Sequence, residues 1–131
     1  MAGPQGKRST RLATLRRRAE FLAVRAGARW ATSAFVLEAK RRSGQADGAR
    51  FGFTVSRQVG GAVERNRIRR RLKAAVRDVL ADQARPDYDY VLIARRPALD
   101  TAFAALVADL VNALKRVHAS RTQRGHAARR K

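Results

Sequence analysis

The chain has 131 residues, enough for one small domain, and sets 30 Lys and Arg against 10 Asp and Glu, a formal net charge of +20. Such a field costs self-repulsion and attracts polyanions, which argues against an enzyme working alone on a neutral metabolite, while 45% hydrophobic residues argue against a purely disordered basic tail. The absence of cysteine excludes disulfide scaffolds and thiolate-bound zinc and suits a reducing compartment, and no apolar run approaches the length of a membrane span.

Residues 1–14, beginning "MAGPQGKRST", read as a flexible basic arm. With no apolar stretch behind it this segment gives no secretory signal, although its Arg, Ser and Ala content also suits an organellar transit peptide; the expected location is the cytoplasm. "LRRRAEFLAVRAG" predicts a short helix with Leu15, Phe21, Leu22 and Val24 as its apolar positions and Gly27 as a left-handed stop. "AFVLEAKRR" alternates, with Phe35, Leu37 and Ala39 on one face and Val36, Glu38 and Lys40 on the other. "RFGFTVS" alternates again, with Phe51, Phe53 and Val55 opposite Gly52, Thr54 and Ser56, so these two strands are expected to pair as a hairpin across "SGQADG". A helix follows "QVGGAV" and should run to near Gln83. "YVLIA" is apolar at consecutive positions and predicts a strand buried on both faces. From "PALD" a last helix is expected, capped by Asp100 or Thr101, with Phe103, Leu106, Val107, Leu110, Val111, Leu114 and Val117 as its apolar stripe. Residues 15–118 are thus expected to form a single domain, and 119–131 a basic disordered tail. The order helix, strands, helix, strand, helix predicts an α+β fold in two layers.

The segment "VERNRIRRRLKAAVR" is the most informative. Seven of the thirteen residues from Arg65 to Arg77 are Arg or Lys, and no acid falls between Glu64 and Asp78. At about 100° per residue, Ile68, Leu72, Ala75 and Val79 share one narrow arc. Asn66, Arg69, Arg70, Lys73 and Arg77 lie opposite, with Arg65, Arg67 and Arg71 on the flanks. A merely solvated face mixes signs; unmixed positive charge at this density calls for phosphates. DNA read in a major groove would normally place such a helix in an all-helical domain. Here it follows a strand, and Phe51 and Phe53 lie on the adjoining sheet, which suits RNA better. Chemistry is hard to find: the acids are scattered, Asp87 and Asp89 share a strand face between tyrosines that look structural, and the only histidines are His118 and His126. On residues alone, the chain is an RNA-binding protein without a visible active site.

At "FGFTVSRQVGGAVERNRIRRRLK" the chain resembles the protein subunit of bacterial ribonuclease P. The hallmark Arg-Asn-Arg stands as Arg65, Asn66 and Arg67, followed by Ile68, Arg69 and Arg70, and led in by Val55, Ser56, Arg57, Gly60, Ala62 and Val63. The likeness extends through "AEF", "FVL" and "DYVLIARRPA". It implies an αβ sandwich in which the basic helix sits in a left-handed strand–helix–strand crossover, an exception to the usual hand. It also implies a ribonucleoprotein that cleaves the 5′ leader from precursor transfer RNA, with the catalytic groups and Mg²⁺ held mainly by the RNA subunit. The partners implied are that catalytic RNA and the precursor transfer RNA, with no membrane. Arg57, Arg65, Asn66, Arg67, Arg69, Arg70 and Lys73 would face the catalytic RNA; Phe21, Val36 and Thr54 would line a cleft for the leader. The sequence departs from the family pattern at Arg25 and Glu38, where aromatic residues are common, and at Gln58, which replaces a basic residue. The rival readings are a structural RNA-binding protein, such as a small ribosomal protein, and a basic DNA-binding protein.

Overall fold

A computed structural model describes residues 12–42 and 48–119. It contains β1 (Ala13–Thr14), α1 (Arg18–Val24), β2 (Ala28–Ala31), β3 (Phe35–Arg41), β4 (Arg50–Thr54), α2 (Ala62–Gln83), β5 (Tyr88–Ala94) and α3 (Phe103–Ala119), with single 3₁₀ turns at Arg57–Val59 and Arg96–Leu99. The strands form one five-stranded sheet in the order β1-β4-β5-β3-β2. Helices α2 and α3 make a layer on one face, as the α+β reading expects. Most of the predicted arm and nearly all of the predicted tail lie outside the described residues. The arm's end does not: Ala13 and Thr14 pair in parallel with Arg50 and Phe51.

The predicted hairpin is absent. Strand β5 stands between β3 and β4, antiparallel to the first and parallel to the second. The physical reason is in the patterns themselves. β5 is apolar at consecutive positions and is best buried at the sheet's centre, with neighbours on both edges. The alternating strands β3 and β4 take the places beside it. Alternation states which face a side chain belongs to and says nothing about which strand lies alongside.

Register sorts the side chains cleanly. Phe51, Tyr90, Ala39 and Ala28 form one row, and Phe53, Leu92, Leu37 and Trp30 the next. Both rows face the helical layer, where Ile68, Leu72, Ala75, Val76 and Val79 of α2 and Leu106, Leu110, Ala113, Leu114 and Val117 of α3 close the core. Phe51 stacks on Tyr90 with ring centroids 4.6 Å apart. Phe51 and Phe53, read from sequence as an aromatic surface for RNA, are therefore packing residues. Each large apolar side chain buried here contributes about 1.5–3 kcal/mol relative to an exposed one.

Element ends differ from expectation for local reasons. α1 starts at Arg18, because Glu20 Oε1 accepts hydrogen bonds from the backbone N–H groups of Arg16 and Arg17, at 3.0 Å each, and closes the helix start there. Leu15 is thereby freed to bury itself beside β5, whereas Leu22 is exposed. Gly27 is not left-handed; only Gly48 and Gly60 have positive φ among the described residues. Its role is close approach, since a Cβ at Gly27 would lie 2.0 Å from the Ala39 carbonyl oxygen. "PALD" forms a 3₁₀ turn instead of starting α3, and the Thr101 hydroxyl donates back to Pro97 O at 2.7 Å, so it caps nothing. Phe103, one turn short of the core, is exposed.

Candidate nucleic-acid interface

The two faces of α2 lie where angular periodicity places them. Ile68, Leu72, Ala75 and Val79 are buried. Asn66, Arg67, Arg70 and Arg77 are exposed, and Arg65, Arg69 and Lys73 are half-buried. Among the described residues, no ion pair involves any of these cations. Two basic residues of the helix have packing duties. Arg71 donates to the carbonyls of Ala98 and Thr101 and ties the second 3₁₀ turn to the helix. Arg65 donates through Nε to Gly60 O at 3.2 Å, and Gly60 itself adopts a φ of 152° that favours glycine. The Lys73 ammonium lies 5.9 Å from the centroid of the Phe53 ring, so its stem lies along the apolar layer. Arg57 is exposed at the start of the first 3₁₀ turn, after the Ser56 hydroxyl oxygen accepts from the Gln58 N–H.

Cations in the first turns of a helix oppose its macrodipole. The one acid there, Glu64, accepts from Gly61 N at 3.1 Å and pairs with Arg96 at 2.9 Å. Hydrogen bonds from Arg96 and then from Gly61 hold its carboxyl below the usual range. Glu64 is thus engaged at the helix start and leaves the arginines of the following turns unneutralised. An anionic ligand on this face would relieve both the mutual repulsion and the dipole.

The second predicted set lies across the sheet from the helical layer. Thr54, Ile93, Val36 and Ala31 make one row; Gly52, Val91, Glu38 and Arg29 the next; Arg50, Asp89 and Lys40 the third. The sheet brings Thr54 and Val36 onto one row, Thr54 exposed and Val36 buried. Phe21 reaches down from α1 and clusters with Leu15, Val24, Val91 and Ile93. Its ring occupies the space above Gly52, where a Cβ would come within 2.5 Å of Phe21 Cε2. Part of Phe21 is therefore packing, and glycine at position 52 is what admits the ring. Arg57 follows Thr54 three residues along the chain, so the end of β4 adjoins both sets.

Around these rows is a charge network that the sequence does not announce. Asp89 accepts from Arg50 Nε at 2.8 Å and Nη2 at 2.7 Å, and from Arg42 Nη1 at 2.6 Å. Arg50 also reaches Glu20 at 3.2 Å, and Arg41 pairs with Asp87 at 2.8 Å. Glu20, Arg41, Arg42, Arg50 and Asp89 border a cleft of about 510 Å³ between α1 and the strands, lined also by Ala19, Ala23 and Lys40. Glu38 is buried, and burial pushes its carboxyl above the usual range while Arg29 and then Arg25 pull it down. The only sequence signal for this network was the spacing of Asp87 and Asp89. Their partners come from loops and strands more than 30 residues away.

Chemical groups suited to catalysis do not converge here. Among the described residues, no three His, Cys, Asp or Glu side chains are placed to hold a metal ion. His118 is buried in the core face, its Nε2 2.8 Å from the Tyr90 hydroxyl, and burial lowers its pKa to about 4. His126 lies outside the described residues. No helix among those residues is long and apolar enough to cross a membrane.

Three comparisons bear on this arrangement. The Ribonuclease P family model matches residues 10–118. The ribonuclease P protein component of Ruegeria pomeroyi is 50% identical over 115 residues, covering 85% of this chain and 90% of that protein. That of Paramagnetospirillum magneticum is 47% identical over 124 residues, covering 92% of each. The solved RNase P proteins of Staphylococcus aureus and Thermotoga maritima each superpose with a TM-score of 0.67 at 27% identity. They cover 80% and 79% of this chain, and 94% and 96% of their own.

Proposed function

The chain belongs to the ribonuclease P protein family and is a protein component of that ribonucleoprotein, and we propose that it works there through two separate RNA-facing surfaces. The first is the cationic face of α2. Arg57, Arg65, Asn66, Arg67, Arg69, Arg70 and Lys73 meet the phosphates of the catalytic RNA. The second is the open face of the sheet, where the 5′ leader of precursor transfer RNA runs over Thr54, Ile93 and Val36 beside the Phe21 wall. The observation that carries the first surface is a run of cations without acidic partners among the described residues, on a helix whose opposite face is sealed into the core.

Bond cleavage belongs to the RNA subunit in this reading. Supporting it, the described acids near the sheet are already paired with arginines, and among the described residues no three are placed to hold a metal ion. The described residues therefore do not fit a resident divalent ion, and Mg²⁺ would be held by RNA. The protein's contribution is electrostatic and positional: it lowers phosphate repulsion within the complex and so lowers the Mg²⁺ concentration the reaction needs. Leader contacts give differential affinity, because only the precursor carries a leader.

The test is reconstitution. Purified protein, its RNA subunit and a precursor transfer RNA are mixed at low Mg²⁺, and 5′ cleavage is measured with and without protein. A clear gain is expected, with no cleavage by protein alone. A structural RNA-binding protein of ribosomal type would give no gain, and that result would sink the proposal.

A further inference from the structure

Side chains tie the turn that carries Arg57 to the first turn of α2. Arg96, from the second 3₁₀ turn, donates through Nη1 to Val59 O at 2.7 Å and to Glu64 Oε1 at 2.9 Å, and through Nη2 to Glu64 Oε2 at 3.1 Å. Glu64 in turn accepts from Gly61 N, and Arg65 Nε donates to Gly60 O. Val59, Gly60 and Gly61, consecutive along the chain, are thus each held at a backbone group by a side chain. The fit is close: a Cβ at Gly60 would collide with Glu64 Oε1 and Arg96 Nη1. Arg96 is itself anchored, because Arg71 of α2 grips the carbonyls of Ala98 and Thr101 just after it.

Stability does not account for this arrangement. The Arg96 and Glu64 side chains are 54% and 40% exposed, and an exposed ion pair adds little to the stability of a fold. What a planar guanidinium bonded at several points does supply is direction, which a point charge does not. It also matches the charge of Glu64, which would otherwise repel a phosphate beside Arg65 and Arg67. Arg57 lies outside α2, and ordering it against the helix only on binding would cost affinity. We propose that Arg96 is a positioning residue: through Val59 and Glu64 it sets the Arg57 turn against α2, so that Arg57 and the helix arginines meet one RNA as a preformed surface. Arg96 need not touch the RNA. The inference rests on the reading that Arg57 and the cationic face of α2 bind the catalytic RNA.

The experiment measures the affinity of the full chain for the RNA subunit at one fixed salt concentration. Glu64→Gln with Arg96→Gln removes the clamp at constant net charge. In the wild type, Arg57→Ala and Arg70→Ala should each weaken binding about tenfold, the loss of one charge-assisted hydrogen bond. Without the clamp, the effect of Arg57→Ala should shrink to within about threefold of unity, while Arg70→Ala, farther along α2, keeps its full effect. The melting temperature should stay within about 5 °C of the wild type. Arg96→Lys, which keeps the charge and loses the planar fork, should leave Arg57→Ala an intermediate effect, and it carries the test if the double variant folds poorly. If Arg57→Ala costs the same factor in every background, or nothing in the wild type while Arg70→Ala does weaken binding, the role of Arg96 is overturned and the α2 surface stands. Equal shrinkage of both effects would mean a general loosening and would overturn it too. If neither substitution weakens binding, the α2 surface itself falls, and this inference with it.

Discussion

Arginine does different work on α2 and on the sheet's open side. Of the six ion pairs among the described residues, five join the open side of the sheet and α1: Arg29–Glu38, Arg41–Asp87, Arg42–Asp89, Arg50–Asp89 and Arg50–Glu20. The sixth, Arg96–Glu64, touches α2 only in its first turn. Beyond that turn Arg67, Arg70 and Arg77 are exposed without a counterion. A cation whose field is already matched acts as a strut; one left unmatched keeps its field for an anion. Counting arginines would merge these two classes, and locating the acids separates them.

The comparison predicts opposite outcomes for substitutions in the two regions. The largest effect should come from Asp89→Ala, which strands Arg42 and Arg50 without their shared carboxylate. One-sided removal of a buried ion pair costs about 3–5 kcal/mol. Arg50 is 31% exposed, so about 3 kcal/mol is expected, or roughly a 10 °C fall in melting temperature. The salt dependence of RNA binding, measured below the melt, should not change. An unshifted melt would show that the network is not a strut.

A buried neutral group calibrates the comparison. His118 is neutral and buried, with its pKa lowered to about 4 by burial and then by the nearby charge of Arg85, partly opposed by Asp87. Tyr88 and Tyr90 of β5 also pack against its ring. The unfolded chain titrates near pH 6.5, so between pH 6.5 and 4 it binds the extra proton and the folded state resists it. The stability contributed by neutral His118 is therefore present above pH 6.5 and is lost as pH falls toward 4. On the order of 2 kcal/mol should disappear across that window. Chemical denaturation at pH 7 and pH 5 should reveal the slope, and His118→Leu should flatten it. Equal slopes would mean that the carboxylate struts alone govern acid sensitivity.

The smallest effect on stability, and the clearest on binding, should come from Arg67→Ala with Arg70→Ala. Exposed and unpaired, they should change stability by no more than about 0.5 kcal/mol. Each lost phosphate contact should lower the log–log salt slope of RNA binding by about 0.7–0.9. Together the expected drop is about 1 to 2, read from affinities across a salt series. A slope that stays constant would place this face in solvent and erase the distinction from the sheet side.

What could be read in advance follows the range of the interactions. Both faces of α2 were legible, because periodicity and charge lie within a few turns of one another. The burial of β5 was legible from its unbroken apolar run. Strand order was not, since the alternation of β3 and β4 is satisfied equally beside each other or on either side of β5. Arg71 looked like another flank cation; its partners Ala98 and Thr101 are 27 and 30 residues away and belong to a turn that no local pattern foretold. Arg29 could not be matched to Glu38 because β2 has only four residues, too few to register as a strand. The leader candidates Val36 and Thr54 came from the family resemblance, and alternation placed each only opposite the phenylalanines of its own strand, while the partial burial of Phe21 depends on Gly52 from another element.

The central position of β5 sets a schedule for biosynthesis. Neither inner edge of β3 or β4 can be satisfied until Tyr88–Ala94 arrives. On the ribosome, every residue through Ala94 must be made before the middle of the sheet exists. Until then two partly apolar edges are unprotected, the situation in which nascent chains associate wrongly. Folding must therefore wait on a late, non-local event, and it should be slow for a domain of this size.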